Sequence, residues 1–156
     1  MKSRINPNVV GIDAGSAYTK GILLQGKTPL AFHGYPSGAN HSLAAEKVLK
    51  ELLRQASLAQ EQLGRVMATG LGAGRIAFAH GRVTEIISIS RAVHRLCPSV
   101  KTVIDVGATA SRIIKLDEQG RPRFSYAAHY FNTARNASGH APRKVEEMLF
   151  GGALLF

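Results

Sequence analysis

The chain has 156 residues with 16 Gly, 6 Pro, a single Cys and no Trp, a length that buries about 70% of its unfolded surface and supports one sizeable core. Lone Cys97 excludes a disulfide framework and any zinc or iron–sulfur site built from this chain's thiolates alone, and it points to a reducing cytoplasm. A formal charge of +10 favours polyanions, but no basic run exceeds Arg143-Lys144 and the aromatics do not interleave with the cations, which argues against nucleic acid; no apolar run is long enough for a membrane span or a signal peptide.

Val9–Ile12 and Lys20–Leu24 read as two β-runs around the small polar turn Asp13-Ala14-Gly15-Ser16, and Gly26-Lys27 turns the chain into a third run at Pro29–Phe32. The three form an antiparallel meander. Leu43, Ala44, Val48, Leu49, Leu52, Leu53 and Ala56 follow helical spacing, with Ser42 as the expected N-cap. Val66–Thr69 is a fourth strand that empties into Gly70-Leu71-Gly72-Ala73-Gly74-Arg75, read as a flexible connection. Thr84 caps a second helix that ends before Pro98. Thr102–Val106 is apolar on both faces apart from Asp105 and reads as a buried central strand, the fifth of a mixed sheet. Ser111–Leu116 and Arg121–Ala127 flank Asp117-Glu118-Gln119-Gly120 as another hairpin, and a short helix is expected over Lys144–Phe150. The fold class is therefore α/β.

One internal similarity carries chemistry. Gly11-Ile12-Asp13-Ala14-Gly15-Ser16 and Val103-Ile104-Asp105-Val106-Gly107-Ala108 each end an apolar strand in Asp, followed by a small residue and Gly. Gly at that place lets a ligand approach the backbone, the following amides can donate to phosphate oxygens, and a carboxylate can hold hydrated Mg²⁺. Lys20 can neutralise a phosphate. A single Asp-X-Gly is most simply a tight turn with an Asx bond, but two with the same offset suggest a two-sided clamp.

The segment Gly11–Lys20 resembles the first phosphate-binding loop of the ATPase activators of 2-hydroxyacyl-CoA dehydratases and benzoyl-CoA reductases, in the superfamily of actin, sugar kinases and heat-shock chaperones. Ala68–Gly72, Val83–Ile86 and Thr102–Gly107 continuing through Ser111–Asp117 match in the same order, so the similarity covers about residues 8 to 127. It implies a ribonuclease-H-like, actin-like ATPase half-domain over residues 1–127, a five-stranded mixed sheet with flanking helices, and the start of a missing or degenerate second lobe at 128–156. It implies ATP and Mg²⁺ as ligands, with Asp13 and Asp105 as the catalytic and metal-holding carboxylates and Gly15, Ser16, Lys20, Gly107, Ala108 and Thr109 around the phosphates. A CoA-ester dehydratase or reductase is the implied partner, and a homodimer the implied assembly.

Departures from the pattern bear on activity. The family follows its second Asp with Gly-Gly-Gln-Asp-Ser-Lys, where this chain reads Val106-Gly107-Ala108-Thr109-Ala110-Ser111-Arg112. Loss of the polar Gln and Asp predicts weakened hydrolysis. The family's cluster-binding Cys is replaced by Asn136, a poor iron ligand, so the iron–sulfur cluster expected of the family is not supported. Cys97 reads as a small buried hydrophobe, the six His as surface residues without a His-X-X-X-His pair, and Ser16, Ser88 and Ser138 lack the context of a hydrolase nucleophile. The sequence ends before the expected adenosine-binding half, so it reads as a truncated or degenerate member. A small-molecule kinase half-domain and a non-catalytic binding module remain the alternative readings.

Overall fold

The computed structural model describes residues 7–107 and 110–129, and Ala108, Thr109, Asn136, Ser138 and the helix expected over Lys144–Phe150 lie outside them. β1 (Asn8–Ala14) pairs antiparallel with β2 (Tyr18–Gln25), which pairs antiparallel with β3 (Thr28–Pro36). Gly26 makes the second connection possible, since its φ of 60° lies in the left-handed region that a Cβ disfavours. After α1 (His41–Ala56), β4 (Leu63–Thr69) returns parallel to β1, and the two-residue β5 (Gly81–Arg82) adds parallel to β4. The sheet order is β3-β2-β1-β4-β5.

Alternation along β1 decides which side becomes core. Val10, Ile12 and Ala14 are buried together with Leu23, Val66 and Ala68, while Gly11 and Asp13 fall on the opposite face. α1 covers the apolar side with Ala45, Val48, Leu49 and Leu52, its own apolar stripe. The approach is close at Gly21, where an added Cβ would lie 2.5 Å from Val48 Cγ1 and 2.9 Å from Leu52 Cδ1. The helix starts earlier than its apolar periodicity suggests: Asn40, not Ser42, is the N-cap, its Oδ1 accepting the Leu43 amide at 3.1 Å. Ser57, at φ 53°, ends it in a left-handed turn.

α2 (Glu85–Leu96) begins behind Thr84, whose hydroxyl accepts the Ile87 amide at 3.3 Å. β6 (Thr102–Val106), β7 (Ala110–Leu116) and β8 (Pro122–His129) then form a separate antiparallel sheet in the order β6-β7-β8. The five-stranded mixed sheet is thus present, but its fifth strand is β5 and not the run at 102–106. β6 is an edge strand among the described residues and is half exposed, with Ile104 and Val106 on a face that also carries exposed Phe124 and Tyr126. A continuous apolar run looked like a doubly covered strand because composition cannot report what covers it. Cys97 is exposed rather than buried, its amide capping the Val93 carbonyl at 2.7 Å.

The described residues divide into two compact units, with the boundary between Ile89 and Ser90. No helix among the described residues is long and apolar enough to cross a membrane.

Candidate functional site

In the first unit a backbone hydrogen bond closes the β1–β2 connection. The Gly15 amide donates to the Tyr18 carbonyl at 3.1 Å, and a Cβ on Gly15 would lie 2.8 Å from that oxygen. Beneath the turn, Ser37 Oγ donates to the Gly15 carbonyl at 2.6 Å. With its only proton so used, Ser37 accepts from the buried Thr19 hydroxyl at 2.9 Å. The Ser37 amide also donates to the Ala17 carbonyl at 3.0 Å. These bonds hold the Gly15-Ser16 backbone from below while Ser16 remains partly exposed. Neither Thr19 nor Ser37 shows itself in the sequence, because the strand register alone brings them together.

Asp13 and Lys20 stand opposite each other across the hairpin, Nζ and Oδ2 3.7 Å apart, with their side chains 40% and 54% exposed. At that distance and exposure the pair is a loose electrostatic contact, worth at most about 1 kcal/mol. The glycine-rich segment after β4 forms the next wall. Gly70, at φ +89°, sits against Asp13, where a Cβ would come within 2.5 Å of Oδ1. Gly72 donates its amide to the Ala14 carbonyl at 2.9 Å and packs on the His41 ring. Arg82 Nε donates to the Ala73 carbonyl at 2.9 Å. The segment is therefore fastened to β1, α1 and β5 rather than being a flexible connection.

A largely apolar cavity of about 270 Å³ opens on this face of the sheet, lined by Asp13, Lys20, Ile22, Met67, Thr69 and Val83. Thr69 pairs in register with Asp13, and its hydroxyl is buried without a hydrogen-bond partner. Both ring nitrogens of His41 are likewise buried and unpartnered, so this histidine is not the surface residue that spacing alone suggests. The sequence analysis placed Thr69 in the Ala68–Gly72 stretch without giving it a role; its place at the strand end beside Asp13 makes it a candidate.

The second unit repeats the first hairpin residue for residue. Asp105 ends its strand, the Gly107 amide donates to the Ala110 carbonyl at 2.9 Å, and a Cβ on Gly107 would lie 3.0 Å from that oxygen. Arg112 faces Asp105 across the strands, as Lys20 faces Asp13. Here the ion pair is a hydrogen bond of 2.9 Å between Nη1 and Oδ2, with side-chain exposures of 13% and 30%. Ala110 is buried.

A meander, a covering helix and a returning parallel strand, with an Asp-X-Gly hairpin at the strand end, define an actin-like ATPase fold of the ribonuclease-H class. The chain belongs to the BadF/BadG/BcrA/BcrD ATPase family, whose sequence pattern matches residues 10–127. It is 29% identical over 112 residues to the 2-hydroxyisocaproyl-CoA dehydratase activator of Clostridioides difficile, covering 72% of this chain and 42% of that protein. To the activator of lactoyl-CoA dehydratase of Anaerotignum propionicum it is 30% identical over 112 residues, covering 71% of this chain and 43% of that one. The solved activator of the 2-hydroxyisocaproyl-CoA dehydratase from Clostridium difficile with bound ADPNP superposes with a TM-score of 0.74 at 28% identity, over 78% of this chain and 46% of its own. The chain thus spans under half the length of these relatives.

Proposed function

We propose that this chain is the nucleotide-binding half of an activator-type ATPase for CoA-ester dehydratases or reductases, with residues 1–127 as the binding half-domain and 128–156 as the start of a second lobe. The carrying observation is the repeated hairpin: in both units a glycine amide closes the same bond and an Asp stands opposite a cation. Phosphoryl chemistry needs positioned amides and a metal ion more than a protein nucleophile. Asp13, Gly15, Ser16 and Lys20 serve the first hairpin, and Asp105, Gly107, Ala108 and Thr109 the second.

Mg²⁺ fits the first hairpin, since one carboxylate such as that of Asp13 can hold the ion while it keeps its remaining waters, and the unpartnered Thr69 hydroxyl beside Asp13 is a ready acceptor or donor for such a water. When bound, the ion supplies neutralisation of phosphate charge. The protein's own part is to fix the Gly15 backbone through Ser37 and to set Asp13 against the Gly70 turn.

Hydrolysis is impaired in this reading, because the Ala110 methyl can neither orient a water nor hold a cation. No iron–sulfur cluster is assembled: even a homodimer offers two Cys97 thiolates against the usual ~four ligands, and the exposed free thiol suits a reducing cytoplasm. Calorimetric titration of the folded chain with Mg·ATP tests the site. Binding that falls at least about tenfold, or roughly 1.4 kcal/mol, in Asp13→Ala supports it; no binding, or binding indifferent to that change, rejects it. Anaerobic reconstitution with iron and sulfide tests the second part, which a stable, stoichiometric cluster would overturn.

A further inference from the structure

A buried hydroxyl costs stability unless its hydrogen-bonding capacity is used, and the first unit buries two of them side by side under the β1–β2 turn, Thr19 and Ser37. Their protons run one way. Ser37 Oγ gives its proton to the Gly15 carbonyl at 2.6 Å, so Thr19 gives its own to Ser37 at 2.9 Å. Ser37 grips the turn a second time through its amide, which donates to the Ala17 carbonyl at 3.0 Å. The Gly15–Ser16 peptide is trans and planar, its N–H antiparallel to its C=O. A carbonyl drawn down onto buried Ser37 therefore turns the Ser16 N–H the other way, toward the outside of the turn, where Ser16 is partly exposed. That N–H makes no hydrogen bond among the described residues, whereas the Gly15 N–H is spent on the Tyr18 carbonyl at 3.1 Å.

We infer that Ser37 is a positioning residue backed by Thr19, and that the donor this hairpin offers to a phosphate oxygen is the Ser16 amide and not that of Gly15. The inference rests on the nucleotide-site reading above and deepens it. The Thr19 hydroxyl, the Ser37 hydroxyl and the Ser16 amide then form three donors in series, each proton pointing toward the anion, and only the last meets it. Hydrogen bonds in such a chain polarise one another by about 10–30% each, so a peptide that accepts at its carbonyl donates more strongly at its N–H. The bond to a phosphate oxygen is moreover charge-assisted, the kind that gains most from a fixed donor. Without the Ser37 hydroxyl the peptide is free to rotate, and a rotated peptide presents its carbonyl oxygen, which repels an anion.

The test is amide nuclear magnetic resonance of the isotope-labelled full chain, titrated with ADPNP and, separately, with inorganic phosphate. Of the two turn amides, that of Ser16 is expected to move downfield with either probe and that of Gly15 to stay nearly still. Ser37→Ala is expected to remove the Ser16 response and to weaken ADPNP binding at least about fivefold, the loss of one charge-assisted hydrogen bond. Thr19→Val is expected to cost about twofold, and Thr19→Ser, which keeps the hydroxyl, to stay near the wild type. A purely structural role would lower the melting temperature of these variants and leave both the Ser16 response and the affinity of the folded protein alone. Circular dichroism reports whether each variant is folded; if Ser37→Ala is not, the Ser16 and Gly15 responses of the wild type decide. A Gly15 amide that responds as strongly as that of Ser16, a Ser16 amide silent to both probes, or a folded Ser37→Ala with unchanged affinity overturns the inference. Failure of the nucleotide reading looks different: phosphate then still moves the Ser16 amide, but ADPNP binds no more tightly than phosphate.

Discussion

Thr69 illustrates what a single side chain costs when its partner is missing. A buried hydroxyl without a hydrogen bond forfeits about 1–3 kcal/mol of hydration, and Thr69 is in that position beside Asp13. Thr69→Val, nearly isosteric, is expected to raise the thermal midpoint of the ligand-free chain by several degrees, about what 1 kcal/mol does for a domain of this size. A lower midpoint would show that the hydroxyl is satisfied. At the β7–β8 turn the titratable residue is Asp117. The Arg121 amide, the Arg121 guanidinium and the Gln119 amide all donate to its carboxylate at 2.7–3.0 Å and hold its pKa below the ordinary 3.8. A carboxyl whose folded value is depressed contributes stability that is complete above its unfolded pKa and fades as pH falls through the folded one. The amide resonances of Gln119 and Arg121 are therefore expected to move together with a midpoint below pH 3.8, and Asp117→Asn is expected to abolish that transition.

Among the elements, α1 is the one whose seat is most exacting. Gly21 faces Val48 and Leu52 so closely that a methyl group added there must push the helix away. Gly21→Ala is expected to lower stability by about 1–3 kcal/mol, the range for overpacking a filled core. Val48→Ala alone opens a hole, but combined with Gly21→Ala it accepts the new methyl. Urea melts of the two single variants and the double should show the double less destabilised than their sum, and strict additivity would place the contact elsewhere. The elements also mark where the sequence could be read. The meander and α1 were legible because strand alternation and helical spacing each persist over several residues. β5 was not, since two residues carry no period, and β6 was mistaken for a central strand because its apolar run is the same whether neighbours cover it or not. Of the site, the two carboxylates and their glycines were visible as a repeat. The support under Gly15 was not, because Thr19 and Ser37 meet only through the β2–β3 register.

For the whole molecule, the net charge of +10 and the bare apolar face of the β6-β7-β8 sheet pull in opposite directions. Val106 is 77% exposed and Ile104 56%, both on a strand whose outer backbone groups have no sheet partner among the described residues, the arrangement that invites strand-to-strand addition. Like charge keeps copies apart at low salt, where the screening length is long, and that protection shrinks to a few ångströms near 1 M. The colloidal behaviour should therefore run against that of an electrostatic complex. Static light scattering is expected to give a positive second virial coefficient in dilute buffer that falls and changes sign as sodium chloride is added. Ile104→Lys, which places a charge on the edge, should keep it positive. A coefficient indifferent to salt in the unmodified chain would mean that the edge is already sheltered. Handling the protein in concentrated salt, the usual remedy for a basic chain that sticks to polyanions, is on this account the condition that precipitates it.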